Sequence, residues 1–123
     1  MTDTMLVIDD EDIVLESCRR IFSTEGFQVT CTTSPREGLR LIENTSFDVI
    51  LCDWKMPGFD GMDVLAELNQ RSPGSAVIMI SGYPTVDRTV EAMKRGAMDY
   101  VAKPFTPDEI VRAVKKALER KGK

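Results

Sequence analysis

Five short apolar segments alternate with five amphipathic segments along the 123 residues of the chain. The apolar segments have the length of strands, whereas the amphipathic segments repeat apolar residues at the spacing of a helix. Strict alternation of this kind is typical of a parallel sheet with right-handed crossovers and helices on both faces. The sequence therefore predicts a doubly wound α/β fold in a single domain over residues 1–123, with a core at about 4–120.

Three of the five predicted strands are apolar along their whole length, which is typical of strands buried on both faces. These strands should be central in the sheet. Each of them ends at a polar residue, namely Asp9, Asp53 or Ser81. The second strand, at residues 27–31, alternates apolar and polar residues and should lie nearer an edge. The fifth strand is short and ends before Lys103.

Local signals mark the ends of the predicted helices. Residues 34–37 and 106–109 each combine a Ser or Thr N-cap, a proline at the first helical position and a glutamate that completes a capping box. Gly26 and Gly96 follow helical segments and should end them. The apolar repeats include Ile13, Cys18 and Phe22 in the first helix, and Val86, Val90 and Met93 on one face of a fourth helix at residues 84–95.

Composition excludes several classes of function. The chain has no histidine, so it contains no histidine-based triad, metal site or general base, and it carries no phosphohistidine of its own. Its net charge of −4 argues against direct nucleic-acid binding by the domain. The basic residues near the end, from Lys115 onward, are typical of a solvated helix terminus.

The cysteines and the hydropathy pattern indicate a cytoplasmic protein without membrane contact. Cys18, Cys31 and Cys52 show no paired spacing and should be buried, reduced thiols. No apolar run approaches the roughly 20 residues of a membrane span. The first residues also lack the pattern of a signal peptide.

Polar residues follow four of the predicted strands, and the carboxyl ends of parallel strands meet at one edge of the sheet. Asp9, Asp10 and Asp53 should therefore lie close together, with Ser81 and Lys103 beside them. Carboxylates that share a site repel one another, so the cluster needs a cation. An all-oxygen ligand set suits Mg²⁺, or Mn²⁺ as the alternative, rather than zinc. A lone aspartate at such a place would instead be a solvated loop residue.

This set of groups suits phosphoryl chemistry. The Asp53 carboxylate can act as a nucleophile and form an aspartyl phosphate. A divalent ion and Lys103 can neutralise charge on the transferring group. The Ser81 hydroxyl and nearby backbone N–H groups can hold its oxygens. No Walker-type glycine-rich loop is present, so nucleotide binding of that kind is not expected.

The chain resembles, over essentially its whole length, a response-regulator receiver domain of two-component signalling. The resemblance is carried by Asp9-Asp10, Asp53, Met56-Pro57-Gly58, Asp60-Gly61, Ser81-Gly82 and Lys103-Pro104-Phe105 at their spacing in the chain. It implies a flavodoxin-like fold with a five-stranded parallel sheet in the order 2-1-3-4-5 and five helices.

The resemblance also implies a metal site and a phosphoacceptor. Asp53 is then the residue that accepts the phosphoryl group. Asp10, Asp53 and the backbone carbonyl of Lys55 hold Mg²⁺, while Asp9 acts through a water molecule. The side chain of Lys55 should not abolish metal binding, because its ligand is a carbonyl oxygen.

Four further positions have implied roles in transfer and switching. Lys103 contacts the phosphoryl group, Ser81 moves to hydrogen-bond it, and Tyr100 changes rotamer with that movement. The peptide between Lys103 and Pro104 is expected to be cis. From the residues alone, Ser81 could be a simple strand-end hydroxyl and Tyr100 an ordinary half-buried aromatic. Trp54 should pack beside the site and report on it by fluorescence.

The implied function is a phosphorylation-dependent switch whose donor is a sensor histidine kinase. Activation changes the face formed by the fourth helix, the fifth strand and the fifth helix, which controls an output domain or a downstream protein and can support homodimer formation. Residues 81–85 and 94–97 resemble receivers attached to transcription activators that contain an ATPase module. The only catalysis expected is self-phosphorylation and slow self-dephosphorylation.

Two other interpretations are compatible with parts of the pattern. One is a Mg²⁺-dependent aspartyl-phosphate phosphatase, but such enzymes usually place the nucleophile after the first strand and carry a cap over the substrate. Here Asp53 follows the third predicted strand, and no insertion is long enough for a cap. The other is a receiver-like interaction module that is never phosphorylated, against which the complete set of site residues argues.

Overall fold

The computed structural model describes residues 3–121, which form seven strands and five helices. In chain order these are β1 (Thr4–Ile8), α1 (Asp12–Thr24), β2 (Gln28–Thr32), α2 (Pro35–Asn44), β3 (Val49–Asp53), β4 (Lys55–Met56), β5 (Phe59–Asp60), α3 (Gly61–Arg71), β6 (Ala76–Ser81), α4 (Val86–Lys94), β7 (Asp99–Ala102) and α5 (Pro107–Lys121).

The main sheet contains the five strands expected from the sequence, in the order β2-β1-β3-β6-β7. All four neighbouring pairs are parallel. Counted along the chain, this is the predicted 2-1-3-4-5 order of a flavodoxin-like fold, and the three most apolar strands are central as predicted. β4 and β5 form a short antiparallel pair in the segment that the sequence marked as a loop.

The sheet separates two hydrophobic cores, because successive side chains of a strand point to opposite faces. On one face, Met5 and Val7 of β1 pack with residues of α1 and α5, Phe22 among them. On the other face, Leu6 packs with residues of α2, α3 and α4, including Leu65. The helices therefore cover both faces, as a doubly wound fold requires.

The two predicted capping boxes form to different extents. At α5, the Thr106 hydroxyl accepts the Glu109 N–H at 3.1 Å, and the Glu109 carboxylate accepts the Thr106 N–H at 3.0 Å. At α2, the Ser34 hydroxyl accepts the Glu37 N–H at 3.2 Å. The Glu37 carboxylate pairs with Arg40 instead of the N-cap backbone. At α2, an ion pair between Glu37 and Arg40 thus replaces one of the two hydrogen bonds of the capping box.

Some apolar residues at helical spacing lie outside the core. Val86, Val90 and Met93 do share one face of α4, but that face is exposed, with Val86 79% accessible. The helix is shorter than predicted and packs on the edge strand β7, so only Ala92 of the helix is buried. Ile13 is 72% exposed, because the first turn of α1 lies beside the carboxyl edge of the sheet rather than over its face.

The cysteines largely follow the prediction. Cys18 and Cys52 are buried free thiols, whereas Cys31, on the edge strand β2, is partly exposed. Burial raises the pKa of Cys18 to about 12, which keeps that thiol protonated at neutral pH. Within residues 3–121, no helix has the length and apolar character that crossing a membrane would take.

Candidate functional site

The polar residues that follow the strands meet at the carboxyl edge of the sheet. Asp53 and Ser81 are the last residues of β3 and β6, and both are buried. Asp9 and Lys103 directly follow β1 and β7, and Asp9 is completely buried. The backbone ladder extends past the strands, since the Lys103 N–H donates to the Ser81 carbonyl at 2.7 Å and the Trp54 N–H to the Ile80 carbonyl at 2.8 Å.

Three carboxylates form the centre of this edge. One carboxylate oxygen each from Asp9, Asp10 and Asp53 lies within 4.8 Å of the others. Asp10 is exposed, so the cluster is open to solvent on one side. Oxygen ligands of this type suit hard divalent cations such as Mg²⁺, and the spacing lets several of them reach one ion. The residues therefore fit a divalent metal site.

Lys103 neutralises part of this negative charge. Its ammonium lies 2.8 Å from an Asp9 carboxylate oxygen, 2.9 Å from a Glu11 carboxylate oxygen and 3.4 Å from an Asp53 carboxylate oxygen. The lysine side chain is 13% exposed. One largely enclosed cation is thus shared among three acids, and Asp53 has the longest of the three contacts.

The protonation equilibria reflect this crowding. Burial raises the pKa of Asp53 to about 6; the negative charge of Asp9 adds to the effect and Lys103 partly opposes it. Burial also raises the pKa of Asp9 above its usual range. Burial alone would lower the pKa of Lys103, but its contacts with Asp9 and Glu11 and the charge of Asp53 raise it above the usual value. The lysine stays charged, and a further cation would offset the unfavourable burial that raises the pKa of both carboxylates.

The Ser81 hydroxyl faces its own loop in this structure. Its oxygen accepts the N–H of Tyr83 at 3.0 Å, which closes the turn between β6 and α4. A side chain at Gly82 would meet no heavy atom within 4 Å, and Tyr83 itself is exposed. The loop on this side of Asp53 is therefore open.

The loop on the other side of Asp53 is anchored by one close backbone contact. Lys55 begins β4, which pairs with β5, and its side chain is exposed. Gly58 turns the chain between the two strands with a φ of 78°, a conformation that favours glycine. Gly61 begins α3, and a Cβ there would lie 2.1 Å from the Trp54 carbonyl oxygen. Only a glycine fits that contact.

An aromatic pair connects the site to α4 and β7. The centroid of the Trp54 ring lies 5.7 Å from that of the Tyr100 ring. Trp54 is buried directly after Asp53, in agreement with its predicted packing beside the site. The guanidinium of Arg88 lies 5.9 Å from the centre of the Trp54 ring. The same Arg88 donates to the Tyr83 carbonyl at 3.3 Å. Arg88 was not singled out from the sequence.

The structure brings most of the predicted site residues together. Asp9, Asp10, Asp53 and Lys103 form one cluster, and the peptide between Lys103 and Pro104 is cis as expected. Ser81 and Tyr100 lie on neighbouring strands beside the cluster, and neither side chain shares a hydrogen bond with the side chains of the cluster. Their roles, and that of the Lys55 carbonyl, stay predictions.

Glu11 is a member of the cluster that the sequence did not reveal. An acidic residue at the start of a helix already has a local explanation, because it meets the positive end of the helix dipole. The side chain of Glu11 instead reaches Lys103, which lies 92 residues away in the chain. The signal was a third acid directly after Asp9 and Asp10.

A model of the response regulator receiver domain family matches residues 5–115. The chain belongs to this family. The match takes in every site residue described above, from Asp9 to Pro104.

Three curated proteins illustrate the relatives of this receiver chain. The regulatory protein AtoC of Escherichia coli is 37% identical and the alginate biosynthesis transcriptional regulatory protein AlgB of Pseudomonas aeruginosa is 33% identical, each over 115 residues. The response regulator SaeR of Staphylococcus aureus is 34% identical over 116 residues. Each match covers 94% of this chain but only 25%, 26% and 50% of the respective relative. The chain thus spans between a quarter and half of the length of these proteins.

Solved receiver structures share the whole fold. A CheY-like receiver domain protein from Methanospirillum hungatei has a TM-score of 0.93 at 30% identity, covering 99% of this chain and 98% of that one. The beryllofluoride-activated NtrC4 receiver domain dimer has a TM-score of 0.91 at 34% identity, covering 96% and 98%. A Burkholderia pseudomallei response regulator with a phosphorylated aspartic acid and a calcium ion has a TM-score of 0.87 at 26% identity, covering 96% and 69%.

Membership of this family indicates the general role of the acidic site. Receiver domains of response regulators are signalling switches rather than classical enzymes. They bind a divalent metal at an acidic pocket, and the cluster of Asp9, Asp10 and Asp53 is the acidic pocket of this receiver chain.

Proposed function

We propose that residues 1–123 form one receiver domain and that it is a phosphorylation-dependent signalling switch with Asp53 as the phosphoacceptor. The phosphoryl group comes from a phosphohistidine on a separate sensor histidine kinase, since the chain has no histidine. Phosphorylation changes the face formed by α4, β7 and α5, and this face controls an output domain or a downstream protein.

The position of Asp53 carries this proposal. Its carboxylate is only 5% exposed, yet it stands at the solvent-facing edge of a central strand with two further carboxylates and one lysine around it. The pKa of about 6 leaves most molecules deprotonated at neutral pH, as a nucleophile requires. An aspartate with a purely structural role would have no reason to stand in such an unfavourable field.

The proposed reaction is a direct transfer between donor and Asp53. A carboxylate oxygen attacks the phosphorus; the new O–P bond forms as the P–N bond to the donor imidazole breaks, and the imidazole leaves with the electron pair. In the slow reverse of the signal, a water oxygen attacks the phosphorus, the bond to Asp53 breaks and a proton is released. These two reactions are the only catalysis that the domain performs.

The other residues of the cluster provide binding and charge. Asp10, Asp53 and the backbone carbonyl of Lys55 would hold Mg²⁺, or Mn²⁺ in its place, and Asp9 would contribute through water. When bound, such an ion supplies positive charge beside the phosphoryl oxygens. Lys103 supplies a second positive charge from the side of Asp9, where its ammonium already lies 3.4 Å from Asp53.

Ser81 and Tyr100 are the proposed switch residues. To bind a phosphoryl oxygen, the Ser81 hydroxyl must leave the Tyr83 N–H that it now accepts at 3.0 Å. That change loosens the turn into α4. Tyr100 lies on the neighbouring strand β7 and packs on Trp54, so its rotamer can follow the movement of the loop. Through these movements, the charge gained at Asp53 changes the conformation of the exposed face of α4.

We infer that the output is transcription regulation. The relative AlgB is described as a transcriptional regulatory protein, and this chain matches 26% of its length. The remaining length of such a protein is where an output domain would lie. Homodimer formation upon phosphorylation is part of the same proposal, because the similar NtrC4 receiver domain is a dimer in its beryllofluoride-activated state.

The decisive experiment is intact mass spectrometry before and after incubation with Mg²⁺ and acetyl phosphate. The parent protein should gain one phosphoryl group, and Asp53→Asn should gain none. Asp12→Asn is the matched control, because Asp12 is an exposed aspartate at the start of α1 with no place in the cluster. It should be phosphorylated like the parent.

Two results would contradict the proposal. One is a folded, Mg²⁺-binding parent that gains no mass from acetyl phosphate, from phosphoramidate or from a panel of phosphorylated sensor kinases. The other is a mass gain that survives Asp53→Asn, which would move the acceptor to another residue.

A further inference from the structure

We propose that Glu11 is a positioning residue for phosphoryl transfer: its carboxylate holds the Lys103 ammonium on the Asp9 side of the site and thereby slows transfer to Asp53. This inference rests on the proposed role of Asp53 as phosphoacceptor. It concerns a residue to which neither the sequence motifs nor the proposed reaction assigns a task.

The contact distances show how Lys103 divides its interactions. The ammonium lies 2.8 Å from Asp9 and 2.9 Å from Glu11, both within hydrogen-bonding distance, but 3.4 Å from Asp53. An ammonium group has only three N–H donors. The hydrogen bond to Glu11 directs one of them away from the carboxylate at which the phosphoryl group arrives, while the nearest Asp9 oxygen attracts the ammonium by charge without accepting a hydrogen bond.

The local structure of α1 indicates that Glu11 is present for this contact. Glu11 is the N-cap residue of α1, yet its side chain makes no capping hydrogen bond. Asn, Asp, Ser and Thr are the residues preferred at an N-cap, and glutamate is not among them. The favourable interaction of an acid with the helix dipole is already available from Asp12 in the first turn. The side chain of Glu11 is thus free to serve Lys103.

The exposed position of Glu11 also allows its contact with Lys103 to break. The Glu11 side chain is 55% exposed, in contrast to the fully buried Asp9. It lines an open groove together with Tyr83, Lys103 and Pro104, so solvent can replace the lysine as its partner. Asp9 anchors the ammonium near the site, and Glu11 is the partner that the ammonium gives up when it turns toward a phosphoryl oxygen.

The expected size of the effect follows from the exposure of Glu11. Half-exposed ion pairs contribute little net free energy, because water and salt compete with them. Releasing Lys103 from such a pair should accelerate transfer by about two- to fivefold. The effect should appear in phosphorylation by small donors and in the affinity for beryllofluoride, which substitutes for the phosphoryl group.

Three variants distinguish the effect of the contact between Glu11 and Lys103 from the effect of the negative charge alone. Glu11→Asp keeps the negative charge but is one methylene too short for the 2.9 Å contact. Glu11→Ala removes both charge and contact. Asp12→Ala is the matched control, since it removes one negative charge from the adjacent exposed position without touching Lys103. All three retain the backbone N–H that Glu11 donates to Asp9 at 2.9 Å.

The measurement is the second-order rate of phosphorylation, followed by Trp54 fluorescence and intact mass, with acetyl phosphate and with phosphoramidate, which carries less negative charge. Positioning predicts that Glu11→Asp and Glu11→Ala exceed the parent by the same factor as each other with either donor at low salt. This factor should shrink at about 0.5 M salt, because salt competes with the exposed pair between Glu11 and Lys103. Asp12→Ala should stay close to the parent. Thermal unfolding of each variant checks that the fold is retained.

Two outcomes would overturn the role of Glu11. If Glu11→Asp equals the parent while Glu11→Ala and Asp12→Ala are equally faster, only the net charge matters. If both Glu11 variants are slower, Glu11 assists Lys103 instead of restraining it. The proposed role of Asp53 is judged separately, by whether the parent is phosphorylated there, and beryllofluoride titration compares the Glu11 variants even when small donors fail.

Discussion

Two aspartates stand at opposite ends of the central strand β3, and their surroundings differ completely. Asp48 directly precedes the strand; its carboxylate accepts the Thr4 N–H at 2.8 Å and lies 3.3 Å from the Lys121 ammonium. The hydrogen bond from the Thr4 backbone is the main reason that the pKa of Asp48 lies below its usual range. Asp53 ends the strand, and burial raises its pKa to about 6.

The comparison separates a structural carboxylate, Asp48, from the proposed phosphoacceptor, Asp53. At the amino end of the sheet, donors from β1 and α5 satisfy the charge of Asp48, so ionisation stabilises the fold. At the carboxyl end, Asp53 shares one lysine with two other acids, so ionisation opposes the fold. Of these two aspartates, the one with incompletely satisfied charge is the one at the proposed metal and phosphoryl site.

The largest difference should appear in Mg²⁺ binding. Asp53→Ala should weaken Mg²⁺ binding by more than about tenfold, because it removes one of three carboxylates around the proposed ion. Asp48→Ala should leave the affinity unchanged. Titration with Mg²⁺, monitored by the fluorescence of Trp54, measures both. Equal losses in the two variants would mean that general charge, not the cluster, governs metal binding.

In the absence of divalent ions, substitution of Asp53 and substitution of Asp48 should change the stability of the protein in opposite directions. Asp53→Asn should raise the free energy of unfolding at pH 7 by up to about 3 kcal/mol, since that is the cost of ionising a carboxyl whose pKa rises from 3.8 to about 6. Asp48→Asn should lower it by about 1 kcal/mol, because the Thr4 N–H loses a charged acceptor. Urea unfolding gives both values. A loss of stability in Asp53→Asn would break the comparison.

The pH dependence of stability should show the same contrast. The pKa of Asp53 is higher in the folded protein, so its contribution is complete below about pH 4 and is lost as the pH rises toward 6. The folded pKa of Asp48 is lowered, so its contribution is present above pH 3.8 and disappears as the pH falls through the folded value.

Unfolding at pH 4, 5 and 7 without metal therefore tests whether ionisation of Asp53 lowers or raises the free energy of unfolding. The advantage of Asp53→Asn over the parent should be largest at pH 7 and should shrink toward pH 4. Saturating Mg²⁺ should reduce or reverse the advantage at pH 7, since the parent then gains a ligand that the variant binds less well. An advantage that grows toward low pH would contradict the account of Asp53.

The smallest effect should come from Lys121, the cation paired with Asp48. Lys121→Gln should lower the free energy of unfolding by about 0.5 kcal/mol or less, because the carboxylate of Asp48 is 38% exposed and water replaces the ammonium. Raising the salt concentration should reduce the difference further. A loss as large as that of Asp48→Asn would show that Lys121, rather than Thr4, is the main partner.

Much of the fold was predictable because its signals are local. The apolar runs before Asp9, Asp53 and Ser81 identified the central strands, and the Thr106–Glu109 capping box formed as its spacing indicates. The second box was predicted only in part, because Glu37 has an equally near partner in Arg40. Competition between two short-range contacts is not visible in a motif.

The candidate site was predictable to the extent that strand order determines it. Parallel strands bring Asp9, Asp53 and Lys103 to one edge whatever the side chains between them. The contact between Glu11 and Lys103 depends instead on the direction of two long side chains 92 residues apart. The exposed face of α4 was unpredictable for a related reason, since burial depends on the helix packing over an edge strand.

The close fit of Gly61 against the Trp54 carbonyl has a mechanical consequence. Trp54 directly follows Asp53, and a Cβ at position 61 would lie 2.1 Å from the Trp54 carbonyl oxygen, so any larger residue there would displace the backbone beside the carboxylate cluster. At Gly82, which follows Ser81, a Cβ would meet no heavy atom within 4 Å. The first residue of α3 therefore limits the backbone next to Asp53, whereas position 82 sets no such limit beside Ser81.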